Sequence, residues 1–120
     1  AWVDRSDWHS ILPTFARCVR ITRDLAQKIE LDPQAFAERA EEALFSALLQ
    51  AEKSMQLSSS LSVDSFLNAF LPMLSAVNRF FDEVLVMVED ASLRQNRLAL
   101  LQRIVALEDG IADMSRLEGF

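Results

Sequence analysis

Apolar side chains recur at three- and four-residue steps through most of the chain, the period of helices with one buried face. The first stripe is Trp8, Ile11, Leu12, Phe15, Val19, Thr22, Ala26 and Ile29. It predicts a helix running to about Lys28, with Ser6 or Asp7 as candidate N-caps and Pro13 in or near its first turns. Leu31-Asp32-Pro33 predicts the start of a second helix, with an acid at the N-cap and proline at N1. Its stripe is Phe36, Ala40, Ala43, Leu44, Ala47, Leu48 and Ala51, and the small residues permit close helix packing. Glu38, Glu41, Glu42 and Glu52 fall on the outer face, where they repel a phosphate backbone. The run Ser58-Ser59-Ser60 predicts a loop. Ser62 or Asp64 then caps a third helix whose apolar positions Phe66, Leu67, Phe70, Leu71 and Leu74 continue toward Phe80 and Phe81. Pro72 removes a backbone donor and predicts two helices meeting at a bend.

The β-branched stretch Val84-Leu85-Val86-Met87-Val88 has the composition of a strand. No partner strand is offered elsewhere, and an isolated strand leaves its backbone groups unpaired, so the stretch is read as the last turns of a helix. Asp90 predicts the N-cap of a final helix from about Ala91 to Met114 or Ser115, with a local bend at Gly110, which costs ~1 kcal/mol relative to Ala. Leu93, Leu100, Ile104, Leu107 and Ile111 share its apolar face, and Arg97 projects within that stripe. A buried guanidinium needs a carboxylate, and Asp82 is the first choice, with Asp90 or Glu83 next. Phe80 and Phe81 point about 100° apart, which sends one to the core and the other to a groove. The pattern as a whole predicts an all-α bundle of about five helices in one domain spanning 1–120, with 1–6 as a leading segment and 116–120 as a tail.

Composition agrees with the pattern. The 120 residues are 51% hydrophobic with two Gly and three Pro, enough apolar mass for one core without disulfides or a structural metal. One Cys and one His give no zinc ligand set, and a reducing cytoplasm is the simplest setting. No apolar run approaches the ~20 residues needed to cross a bilayer, and AWVDRSDWHS lacks the features of a signal peptide. The missing initiator methionine suits a fragment or a processed N-terminus. Net charge is −6, from 12 Lys+Arg against 18 Asp+Glu, so any grip on RNA must be local. Arg17, Arg20 and Arg23 follow at i, i+3 and i+6, which taken alone describes a solvated face. Cys18 lies at the margin of the first stripe and reads as a small buried side chain, His9 as a surface or cap residue. There is no Gly-rich phosphate loop, HExxH or CxxC, and a catalytic role has little support.

Residues 77–101, VNRFFDEVLVMVEDASLRQNRLALL, resemble the C-terminal anticodon-binding (DALR) domain of the bacterial glycyl-tRNA synthetase β subunit, in which FFD-x-V-x-V-M precedes an acidic turn and R-x-N-R-L-x-L-L. The resemblance extends more loosely over about 71–117. In the first helix Arg17 matches one basic position of the family, Cys18 stands where a second is common, and Ile21 or Thr22 replaces an asparagine. The resemblance implies a non-catalytic helical domain that binds the anticodon arm of glycine tRNA, in a cytoplasmic β chain working with an α subunit in a heterotetramer. ATP and Mg would serve the parent enzyme, with no cofactor in this domain. Candidate RNA contacts are Arg17, Arg20, Arg23, Asn78, Arg94 and Asn96, with Arg97 and Asp82 as a structural ion pair. The alternatives are the related domain of arginyl-tRNA synthetases and a helical protein-docking module that never touches RNA. Convergence of Arg17, Arg20 and Arg23 with Arg94 or Arg103 on one face would favour RNA binding.

Overall fold

Helical periodicity becomes five α-helices in the computed structural model, which describes residues 8–25, 27–57 and 63–108. They are α1 (Trp8–Thr22), α2 (Arg39–Leu57), α3 (Val63–Phe70), α4 (Leu74–Glu83) and α5 (Ala91–Val105). No strand occurs among the described residues. Pro72 sits in a 3-10 turn, Leu71–Met73, that joins α3 to α4, and the Leu74 N–H closes it onto the Leu71 carbonyl. The helical run is therefore interrupted at Pro72, as expected, and counted as continuous stretches the five helices make four. The caps expected at Ser6, Asp7 and Ser62, the side chain of Asp64, the 58–60 run, Ile111, the bend at Gly110 and the tail lie outside the described residues.

Helix α5 carries the longest run of consecutive buried residues among the described helices. Asp90 caps it, its carboxylate accepting from the Leu93 N–H at 3.1 Å. Residues 96–101 are all buried in succession, so the middle of α5 has no solvent face. It packs chiefly on α1 and also on α2, while α2 packs on α3 and α4. Phe15 of α1 meets Phe66 and Phe70 of α3 edge to face, with ring centroids 4.9 and 5.9 Å apart. Phe80 is fully buried and Phe81 only partly, the division that their 100° offset predicts.

Four expected boundaries move, one of them the end of α5, which gives way after Val105 to the 3-10 turn Ala106–Glu108, short of Met114. Helix α1 ends at Thr22, not Lys28: the Thr22 hydroxyl donates back to the Cys18 carbonyl at 2.9 Å, and the Leu25 N–H turns onto the Thr22 carbonyl. Beyond it, Leu25, Ile29 and Leu31 still pack on the core, so the apolar spacing persists without the helix. Asp32 does cap, accepting from the Gln34 N–H, but what it starts is the 3-10 turn Pro33–Ala35, and α2 begins only at Arg39. Helix α4 stops at Glu83, with Val84 already extended at φ −117°, ψ 125°. Val84 and Val86 are buried and Leu85 and Met87 exposed, in a connection that turns at Val86-Met87. Side chains satisfy its carbonyls: Arg97 donates to Leu85, and Arg94 to Val88 and Glu89.

Candidate nucleic-acid interface

The seam between α1 and α4 brings together four polar or aromatic side chains. One turn apart on the exposed side of α1 stand Arg17 and Arg20, and Arg23 follows in the turn after the helix, also exposed. The Arg17 guanidinium carbon lies 4.1 Å from the centroid of the Phe81 ring, close enough for a cation–π contact. One turn earlier, the Thr14 hydroxyl donates to Asn78 Oδ1 at 2.9 Å, and Asn78 remains exposed. Phe81 is held from behind by Phe80, ring to ring at 5.9 Å. The result is an exposed guanidinium steadied on an aromatic ring, beside an exposed carboxamide. Among the described residues no carboxylate pairs with Arg20 or Arg23, so that face of α1 keeps its positive charge.

The remaining candidates are engaged elsewhere. Arg94 is half-buried and its Nη1 donates to the Val88 and Glu89 carbonyls at 3.1 and 3.3 Å, which makes it a brace for the α4–α5 connection. Arg103 makes a two-point contact with Glu52, Nε to Oε2 at 3.0 Å and Nη2 to Oε1, and lies over Phe45. Asn96 is buried at 4% exposure and unavailable to a base. Its Oδ1 accepts from the Asp32 N–H at 2.8 Å and its Nδ2 donates to the Asp32 carbonyl at 2.9 Å. Six residues on, Gln102 treats the same segment alike, accepting from the Ile29 N–H at 2.7 Å and donating to the Gln27 carbonyl at 3.0 Å. Two carboxamides of α5 thus complete the backbone hydrogen bonds of the α1–α2 connection, which has no helix of its own there. The available signal was the presence of Asn96 on a helix otherwise buried all round, since a buried carboxamide needs partners for both its ends.

Arg97 is buried in an ion pair, but its partner is Glu41 and not Asp82. Its Nη2 lies 3.2 Å from Glu41 Oε1, and its Nη1 donates to the Leu85 carbonyl at 2.7 Å. Asp82 is exposed on α4. Because that helix ends at Glu83, the following segment brings a carbonyl rather than a carboxylate to the guanidinium. Glu41, assigned to the solvated face of the second helix, is in fact 0% exposed. It occupies the third position of α2, where its Oε1 also accepts from the Glu38 N–H at 3.0 Å and the Ala37 N–H at 3.2 Å, one half of a capping box. Placing the helix start at Pro33 concealed that role.

His9 is exposed, and burial pushes the Cys18 thiol up to about 12 against the lowering effect of the Arg17 charge, so it is a neutral, packed side chain at neutral pH. Among the described residues, no three or more His, Cys, Asp or Glu side chains converge to hold a metal, and no helix is long and apolar enough to cross a membrane.

Residues 11–112 match the family described as DALR anticodon binding domain. The chain is 37% identical over 98% of its length to the glycine–tRNA ligase β subunit of Moorella thermoacetica, and 36% identical over 92% to that of Desulfatibacillum aliphaticivorans. It is 32% identical over 92% of its length to the chloroplastic/mitochondrial glycine–tRNA ligase 2 of Arabidopsis thaliana. It spans only 17%, 16% and 10% of those proteins respectively. The helical bundle, the FFD-to-RLALL stretch and a match that covers most of the chain all agree, and the chain belongs to the DALR anticodon binding domain family.

Proposed function

We propose that this domain binds the anticodon arm of glycine tRNA within the β subunit of a glycine–tRNA ligase. The observation that carries the reading is the unneutralised arginine row of α1 ending on the Arg17–Phe81 stack, in a chain whose relatives bear that enzyme's name over 92–98% of its length. Anticodon loops expose unstacked bases, whereas an A-form stem offers mainly phosphates and 2′-hydroxyls. Arg20 and Arg23 suit the phosphates, and Arg17, Asn78 and Phe81 suit the loop. Asn96 and Arg94 drop out of the contact set and keep their roles inside the fold. The glycine reading is preferred to an arginine enzyme because the relatives compared are glycine ligases. In the complete enzyme the domain is non-catalytic. The α subunit of a cytoplasmic heterotetramer carries ATP, Mg and the aminoacylation site.

The test is aminoacylation by the full-length β subunit with its α subunit. Arg17→Ala and Arg20→Ala should lower kcat/KM for tRNA and leave glycine activation by ATP unchanged. Unchanged charging of both normal and anticodon-swapped tRNA by both variants would transfer preference to the docking-module reading, which the net charge of −6 favours.

A further inference from the structure

We infer that the α4–α5 connection is a docking surface for another protein surface of the same synthetase, one with an apolar pocket bordered by Lys and Arg. Leu85 and Met87 are 68% and 64% exposed on either side of the buried Val86, with Met87 in the turn that follows the extended Val84. Scattered exposed apolar residues are ordinary, but this pair sits on a segment fixed from behind. Val84 and Val86 are buried, Arg97 holds the Leu85 carbonyl, and Arg94 holds the Val88 and Glu89 carbonyls. Such pre-organisation removes much of the ordering cost of binding, and methionine beside leucine makes an adaptable apolar contact.

Charge selects the occupant. Asp82, Glu83, Glu89 and Asp90 flank the pair and are all exposed. The nearby arginines offset only part of this: Arg79 pairs with Glu83 at 2.8 Å, Arg97 is taken up by Glu41, and Arg94 donates to carbonyls and keeps its charge, so the rim stays net acidic. An acidic rim repels RNA phosphates and a second copy of itself, and attracts a basic rim. The relatives are about six times longer than this chain, so ample surface of the same protein lies beyond it. This identification of the partner rests on the proposed function, since it takes the synthetase as the parent.

The experiment places a photo-crosslinking amino acid at position 87 of the full-length β subunit, assembled with its α subunit, with and without tRNA. The expected product is a crosslink to a protein segment outside residues 1–120 that carries Lys or Arg beside apolar residues. Leu85→Asp should reduce its yield by roughly tenfold, as removal of a central contact does, and Glu89→Lys should reduce it most at low salt, as loss of a rim charge does. Both side chains are exposed, so neither change threatens the fold. Crosslinks to tRNA alone, to the same loop of a second copy, or to nothing would overturn the inference. The anticodon reading fails separately, on the charging kinetics of the Arg17 and Arg20 variants, and its failure would leave a protein crosslink standing.

Discussion

Replacing Glu41 by Leu removes three functions of one carboxylate, and the structure allows each to be sized. Its Oε1 accepts from the Ala37 and Glu38 N–H groups, and losing a helix-terminal acceptor costs ~1 kcal/mol. It also pairs with Arg97, which is 4% exposed and keeps only the Leu85 carbonyl once the acid is gone. A stranded buried cation costs about 3–5 kcal/mol. The sum, ~4–6 kcal/mol, is a large share of the 5–15 kcal/mol typical of a domain. Arg97→Met in the same chain should recover much of this, because the pair is imperfectly satisfied: Glu41 Oε2 and Arg97 Nε are buried with no hydrogen-bond partner. The double variant then lacks only the cap and the bond to Leu85, about 2 kcal/mol. Urea unfolding followed by circular dichroism on the wild type, both single variants and the double variant gives the coupling. We expect the Glu41→Leu loss to exceed the double loss by ~2–4 kcal/mol. Additivity within ~0.5 kcal/mol, or a Glu41→Leu loss below ~1 kcal/mol, would refute the assignment of Glu41 as the fold's internal counter-ion.

Three further outcomes are expected. Arg20→Ala should weaken all tRNAs alike and reduce the slope of log K against log salt by ~0.7, the value for one contact to single-stranded RNA; an unchanged slope in a filter-binding titration would remove Arg20 from the interface. Asn96→Leu should cost about 1–3 kcal/mol and speed exchange of the Asp32 amide, without changing preference for the glycine anticodon; a selectivity change at full stability would restore Asn96 as a base contact. Cys18 gives a pH test: its thiol titrates at about 12 in the fold against 9.0 as the ordinary value, so between these the unfolded chain releases a proton that the folded chain keeps. Stability should therefore be fully present below pH 9 and fall as pH rises through that window, less so in Cys18→Ala; equal alkaline slopes would contradict the buried thiol.

The sequence was enough to determine an all-α bundle, the helix break at Pro72, the cap at Asp90 and the split fates of Phe80 and Phe81. These are local properties: helical period, a missing proline N–H, a carboxylate near free N–H groups, and a 100° step. Spacing alone could not decide where α1 and α4 stop, because Leu25, Ile29, Val84 and Val86 keep an inward rhythm after the helix has ended. A chain leaves a helix when other groups take over its backbone hydrogen bonds, and here those groups are Asn96, Gln102, Arg94 and Arg97 of α5, up to 75 residues away in sequence. The same tertiary fact redistributed the candidate site. It moved Asn96 and Arg94 from ligand contact to internal support, gave Arg97 the acid at the start of α2, and left the face of Arg17, Arg20 and Arg23 free. Sequence identifies which side chains need partners. Only the folded chain decides which partner is within 3 Å, because that depends on where distant helices cross.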